Sequence, residues 1–433
     1  SSNRRGAQTC LAFAALHRII DRLDGYPRTR NPTTTGSNSV SQSEIVIVAA
    51  RRTPIGAFQG GLSAATAPPL SAAATRACLG DCGIDPALID AALLGCVLPA
   101  GIGQAPARQA VLASGLPEAL PTTTVNKVCG SGLKTVMLGH DMLCAGSAEV
   151  VLAGGMESMT NAPYLLPKAR RGYRMGHQEV LDHMFYDGLQ NPYDSNMMGF
   201  FAEATATKYE FSREAQDEFT HESVSRALRA MQDGSFDTEI APVTIVNRRK
   251  KSVVDADEEP PRCDLDGIAS MRPAFAKDGT VTAASSSSIS DGAASLLLMP
   301  AEIAARHNLT PLAKIVAHAE HAHEPEWFTT APVGAIQKLM TRTGWSADDV
   351  DLFEINEAFA SVTMAAMHDL GLDHAKINVN GGACALGHPI GASGARILVT
   401  LLHALRNRNL TRGIASLCIG GGEAVAVAIE TVD

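Results

Sequence analysis

The chain has 433 residues, enough for about two to three domains on the usual size prior, and it is 45% hydrophobic and 19% charged with 38 Gly and 22 Pro. That balance excludes disordered and fibrous classes, and no apolar run reaches the ~18 residues that suggest a membrane span. With a net charge of −9, the densest basic run, Arg248 to Lys251, is answered at once by Asp255 to Glu259, so the electrostatic footprint of a nucleic-acid binder is missing. Nine cysteines, at positions 10, 78, 82, 96, 129, 144, 263, 384 and 418, form no Cys-x-x-Cys pair, a pattern of reducing compartments. Aromatics make up only 5%, so the core must rely on Ala, Val, Leu, Ile and Met with close backbone approaches, as in an α/β protein.

Residues 1–43 differ from the rest. An Arg-bearing, partly apolar stretch from Cys10 to Leu23 precedes a polar Pro/Thr/Ser/Asn segment, and the whole reads as a poorly ordered leader or extension. From Glu44 a strand, Ile45 to Ala50, opens the folded part. Helices over Leu70–Leu79 and Gln104–Ala113 and a strand over Ala91–Val97 then alternate in the manner of parallel α/β units. A second such set begins near Pro311, with a strand over Ala313–Ala317, a helix over Gly334–Thr343 and a strand over Asp351–Ile355.

The two sets read as one unit used twice. Ile89-Asp90-x-x-Leu93-Leu94-Gly95 matches Val350-Asp351-x-x-Glu354-Ile355-Asn356, and Cys129-Gly130-Ser131-Gly132 matches Gly391-Ala392-Ser393-Gly394, each of the latter pair opening a helix. Val151 to Gly155 matches Leu417 to Gly421 in the same order. Residues 163–283 have no counterpart in the second set and read as an insertion, with one amphipathic helix over Arg213–Asp233. The domain reading is therefore 44–162 plus 284–310 as the first half, 163–283 as the inserted loop domain and 311–433 as the second half.

Four places carry candidate chemistry. Val125 to Gly132 is a strand turning tightly into the helix Leu133–Ala145; a Cys there meets the positive end of the helix dipole, which lowers its pKa and favours a thiolate nucleophile. The alternative is a small thiol filling a crowded turn; the glycines after Cys129 and the polar Asn126 before it favour the nucleophile. In Asn378 to Gly391, a glycine before and a proline after fix the backbone of His388, which suits acid–base work, or else a satisfied structural imidazole. In Ser416 to Gly422 a strand end runs into glycines, so backbone N–H groups could form an oxyanion hole beside the thiol of Cys418, with phosphate binding as the competing use. Asn356 follows a strand and caps a helix through Met367, or it orients a catalytic water. His318, His321 and His323 lack the Cys or carboxylate companions of a zinc site.

Together these stretches resemble the thiolase family, on Val128-Cys129-Gly130-Ser131-Gly132, Ala153 to Met159, Asn356-Glu357-Ala358-Phe359, Gly387-His388-Pro389 and Cys418 to Gly422, and the resemblance covers nearly all of residues 44–433. It implies the thiolase fold: two duplicated α/β halves in a five-layer α/β/α/β/α core with an inserted loop domain. It also implies reversible Claisen condensation of two acetyl-CoA to acetoacetyl-CoA and CoA through an acyl-Cys129 intermediate, an acetyl-CoA C-acetyltransferase activity. A broader-range 3-ketoacyl-CoA thiolase of β-oxidation keeps the same catalytic residues. In that scheme His388 activates Cys129, Cys418 handles the α-proton, Asn356 holds a water that stabilises the enolate oxygen with His388, and Gly420 lends its N–H to the oxyanion hole.

The resemblance further places Met198, Phe275, Ser287 and Phe359 against coenzyme A. Thr282-Ala283-Ala284, Glu324 to Phe328 and Tyr193 are similar to the potassium-activated mitochondrial type, which implies a potassium ion held by Tyr193 and by backbone oxygens of Ala283, Ala284, Ser286 and Cys384. No tightly bound cofactor is implied. A homotetramer or homodimer is expected, in the cytoplasm or alternatively the mitochondrial matrix. Met197, Ser285 and Cys384 depart from the family's pattern, the last adding a thiol close to the site. A ketoacyl synthase shares the fold and the nucleophile but would want a second His where Asn356 stands, and a non-catalytic relative would have lost Cys129, His388 or Cys418.

Overall fold

The computed structural model describes residues 44–247 and 250–432, so the leader expected over 1–43 and part of the Arg248–Lys251 run lie outside the described residues. The first strand, β1 (Ile45–Arg52), is apolar at consecutive positions because both its faces are covered. Ile45 and Ile47 face one hydrophobic cluster while Val46 and Val48 face another. The other strands of this half, β2 (Ala91–Gly95), β3 (Thr122–Val125), β4 (Val151–Ser158) and β5 (Ser290–Pro300), join it in the order β1-β5-β4-β2-β3. In the second half β6 (Ala313–Ala322), β7 (Leu352–Ile355), β8 (Arg412–Ile419) and β9 (Glu423–Thr431) run in the order β7-β8-β9-β6. The halves meet where Val46 and Ile47 pair with Lys314 and Ala313.

Two helices lie between the halves: α3 (Ser131–Cys144) and α8 (Ile390–Asn407). Their apolar side chains share one cluster with Leu296, Leu298, Val151, Val425 and Val427, drawn from both sets of strands. Residues alternating with these, such as Leu297 and Leu152 on one side and Ala424 and Ala426 on the other, face outward into separate clusters. Helices α1 (Ala67–Cys82) and α2 (Pro106–Ala113) cover the first outer face, and α6 (Ala331–Thr343) and α7 (Ala360–Leu370) cover the second, which gives the five layers. The α3 and α8 backbones cross at glycines: a Cβ on Gly132 would stand 2.7 Å from the Ala395 nitrogen.

The halves repeat one another in detail. Asp90 accepts the N–H groups of Glu149 and Val150 at the start of β4, and Asp351 accepts those of Thr411 and Arg412 at the start of β8. The expected parallel α/β units hold only in part, however. Only β2 with β3, β2 with β4 and β7 with β8 are parallel; β5 and β9 run antiparallel to their neighbours. The β8–β9 connection is a tight hairpin through Gly421 and Gly422, at φ +97° and +89°, and such a hairpin must reverse the chain.

The insertion carries α4 (Met198–Lys208) and α5 (Arg213–Gln232), the latter started by Ser212 accepting the Ala215 N–H. Arg226 of α5 donates to the carbonyls of His374 and Ile377, which ties the insertion to the second half. One expectation fails here. Asn356 caps no helix, because α7 begins at Ala360 with Phe359 as its flanking residue.

Candidate active site

Cys129 sits on the turn from β3 to α3, where Val128 holds φ +45°, a strained value for a β-branched residue. The turn is pinned by side chains. Asn126 accepts the Val128 N–H at 2.9 Å, while the Ser131 hydroxyl accepts from the Lys127 N–H at 2.8 Å and donates to the Val128 carbonyl at 2.6 Å. The sulfur receives the backbone N–H of Gly420, which brings the β8–β9 hairpin onto the nucleophile. Burial pushes the thiol up to about 11, against the sequence expectation of a thiol lowered by the helix dipole. Helix α3 starts only at Ser131, so Cys129 stands outside its first turn, and desolvation outweighs both N–H groups that favour the thiolate.

His388 is buried, and burial together with the Arg396 guanidinium pushes it down to about 3, so the imidazole is neutral near pH 7. Its Nδ1 lies 2.5 Å from the Ser393 hydroxyl, which donates its own proton to the Pro389 carbonyl at 3.0 Å. Ser393 must therefore accept from Nδ1–H, leaving Nε2 as the unprotonated atom, and Nε2 has no protein partner. The His388 loop is held from behind by Glu157, whose carboxylate accepts the N–H groups of Gly391, Val97 and Leu98 at 2.9 to 3.1 Å. Burial nevertheless pushes Glu157 up to about 7.

Cys418 is fully buried beside Cys129, and both burial and that neighbouring sulfur hold its thiol well above the ordinary value. Asn356 is 1% exposed, yet neither its amide oxygen nor its nitrogen finds a protein partner, so both are available to a guest. The next residue, Glu357, carries the positioning. It accepts from Asn378 Nδ2 and Ser223 Oγ at 2.8 Å and from the Cys384 N–H at 3.0 Å, joining the insertion to the loop before His388.

A cavity of about 210 Å³ brings together Cys129, His388 and Gly420 with Met198, Phe275, Ser287 and Phe359, and adds Met197, Ser286 and Phe328. Phe275 meets Phe359 edge-to-face at 5.9 Å, and the Ser287 hydroxyl donates to the Ala358 carbonyl at 3.0 Å while keeping its lone pairs. Asn356, Cys418, Tyr193, Ala283, Ala284 and Cys384 stand outside this lining. Tyr193 is 75% exposed, and Cys384 packs its thiol on the Glu357 carbonyl. The expected ion set is all oxygen, one phenol and several backbone carbonyls, a chemistry that fits a hard monovalent cation.

The histidines in and just after β6, His318, His321 and His323, do not converge. His323 pairs with the Trp327 carbonyl, His321 meets His323 edge-to-face, and His318 turns away to Asp141. Local stretches of the sequence mark Cys129, Asn356, His388 and Cys418 but give no role to Ser393, Glu157, Glu357 or Asn378. Glu157 and Glu357 lie within the family-like motifs, and the position of each, a carboxylate next to apolar strand residues, is the available signal.

Residues 45–302 match the model of the thiolase N-terminal domain, and residues 309–431 match that of the thiolase C-terminal domain. The chain belongs to the thiolase family. It is 48% identical over 389 residues to an acetyl-CoA acetyltransferase of Chromobacterium violaceum, spanning 89% of this chain and 99% of that protein. The crystal structure of the Bacillus anthracis acetyl-CoA acetyltransferase aligns with a TM-score of 0.88 at 41% identity, over 90% of this thiolase and 99% of the other chain. The Acat5 thiolase from Ascaris suum, solved in complex with coenzyme A, aligns with a TM-score of 0.85 at 38% identity, over 90% and 100%. Among the described residues of this thiolase no helix is long and apolar enough to cross a membrane.

Proposed function

We propose that this thiolase is an acetyl-CoA C-acetyltransferase that works by a ping-pong route through acyl-Cys129. The observation that carries the reading is a neutral imidazole with a free Nε2 and a thiol crossed by the Gly420 N–H, both on one small apolar cavity. In the cleavage direction the Cys129 proton passes to His388 Nε2 as the sulfur attacks the 3-keto carbon of acetoacetyl-CoA. The bond between C2 and C3 breaks, and the Cys418 thiol protonates C2 to release acetyl-CoA. A thiol held well above its ordinary pKa is a proton donor at rest, which suits that role.

CoA then enters and gives its thiol proton to the Cys418 thiolate, and its sulfur attacks the acyl-Cys129 carbonyl. The Cys129 sulfur leaves and recovers its proton from His388, so every group returns to its starting state. The N–H groups of Cys129 and Gly420 hold the oxyanion at the acyl carbonyl, and Asn356 with His388 holds the enolate oxygen through a water. Phe328, Met197 and Met198 line the cavity, and its volume of about 210 Å³ supports short acyl groups.

The finer assignment is to the potassium-responsive, acetoacetyl-CoA-specific type, with Tyr193 and the carbonyls of Ala283, Ala284, Ser286 and Cys384 holding the ion. The same reading places it as a homotetramer or homodimer in a reducing compartment, the cytoplasm or the mitochondrial matrix. Unpaired thiols at every described cysteine support that compartment. The test is thiolytic turnover of acetoacetyl-CoA against longer 3-ketoacyl-CoA esters, with Cys129→Ala alongside and potassium exchanged for sodium. Best turnover on acetoacetyl-CoA, abolished in the variant, is expected; preference for longer chains instead makes this the broader-range 3-ketoacyl-CoA thiolase. Unchanged kinetics and melting temperature on ion exchange remove the potassium assignment.

A further inference from the structure

We infer a transition-metal site, with Zn²⁺ chemistry, at His140, Asp141 and His318, whose donor atoms all lie within 4.8 Å of one another at the end of α3 far along from the catalytic turn. The chain brings these residues together from both halves, since α3 belongs to the first and β6 to the second. Asp141 Oδ1 receives His318 Nε2 at 2.8 Å and His140 Nδ1 at 3.3 Å, and the two imidazole rings stand edge-to-face with centroids 5.1 Å apart. Cys144 follows His140 by one helical turn, with its sulfur 3.7 and 3.9 Å from the two nitrogens of that ring, beside the three-donor set and not part of it.

Ligand atoms around a tetrahedral zinc with bonds of about 2.0–2.3 Å are separated by roughly 3.3–3.8 Å. The separations of 2.8 and 3.3 Å lie below and at the lower end of that range, so small side-chain rotations would open the set around an ion. Two imidazole nitrogens and one carboxylate oxygen are a three-donor set that zinc takes with its fourth position left to water, and a borderline metal is favoured over magnesium or calcium. Entry is open, because Asp141 and Cys144 are exposed while both rings are half-buried.

Neither the proposed acyl transfer nor the folded core uses these three side chains together. Bound metal would act as a cross-link between the helix that carries the Cys129 turn and a strand of the opposite half, so it should stabilise the fold.

The experiment counts Zn²⁺ bound per full-length chain by competition with a chromophoric chelator, comparing the wild type with His140→Ala/His318→Ala. Thiols elsewhere contribute equally to both proteins. One additional zinc per chain in the wild type, a rise in its melting temperature with zinc that the variant lacks, and a tetrahedral Co²⁺ spectrum lost in the variant are expected. Equal stoichiometry, equal melting shifts and equal cobalt spectra in the two proteins would overturn the site. Thiolytic turnover of the variant at the wild-type rate shows that it is folded. If the double variant does not fold, Asp141→Asn, which keeps the shape and removes the charge, is expected to weaken zinc binding at least tenfold, and unchanged affinity there overturns the proposal.

Discussion

The Ser393 hydroxyl fixes which nitrogen of His388 carries the proton, because its own hydrogen is committed to the Pro389 carbonyl. The residue therefore acts on the reaction through the imidazole and not by touching substrate. Ser393→Ala removes the acceptor of Nδ1–H inside a buried site, at a cost of about 1–3 kcal/mol in transition-state stabilisation. A fall in kcat of roughly 10- to 100-fold with KM little changed is expected in steady-state thiolysis, and Ser393→Thr should recover part of it. Equal loss in kcat with either substitution would point to a packing defect instead.

The pairing of a thiol near 11 with an imidazole near 3 makes the resting couple neutral, not a thiolate–imidazolium ion pair. Below the thiol pKa each pH unit multiplies the thiolate fraction by about ten. Alkylation of Cys129 by iodoacetamide in the free enzyme should thus keep rising from neutral pH through pH 10 with no plateau. A rate that levels off below pH 8 would show an ion pair and contradict the burial argument.

The division between what the sequence conveys and what it withholds follows from range. The bounds of α5 are legible because an amphipathic period and the Ser212 cap are local, and Cys129 and His388 are legible because glycines mark them within a few residues. The direction of β5 and β9 is not, since a strand buried on both faces shows only an apolar run and no sign of its partner. Glu157 reaches Gly391 across 234 positions, so no local pattern connects that carboxylate with the histidine loop. The rise of the Cys129 thiol has the same origin: the helix dipole can be read from neighbours, whereas desolvation comes from distant chain. The repeated aspartates at 90 and 351 are the opposite case, where a weak sequence match marks identical bonding.

The crossing of α3 and α8 leaves no room for a side chain at Gly132, where an added Cβ would press on the Ala395 backbone. Overpacking of this kind costs about 1–3 kcal/mol or more when backbone must move. Gly132→Ala should lower the denaturation midpoint and depress turnover together, because the shift passes into the Cys129 turn. Gly80, exposed on α1 with nothing within 4 Å of a built Cβ, is the control. Gly80→Ala should raise stability by about 0.5–1 kcal/mol, and a Gly132→Ala protein as stable as that control would refute the close crossing.

Burial of His388 also ties stability to acid. The group has a folded pKa of about 3, depressed from the ordinary 6.5 by burial and by Arg396, so the unfolded chain binds a proton between those values that the folded chain refuses. Stability from this residue is complete above pH 6.5 and is lost progressively as pH falls toward 3, with a slope of at most about 1.4 kcal/mol per pH unit. His388→Gln is neutral throughout and lacks this slope. Urea denaturation of both proteins at pH 7.5, 6 and 5 should show the wild type losing stability faster than the variant on acidification, the gap opening only below about pH 6.5. Parallel curves over that window would mean that the imidazole charges inside the folded protein, and it would then need a partner that the Ser393 hydroxyl alone does not supply.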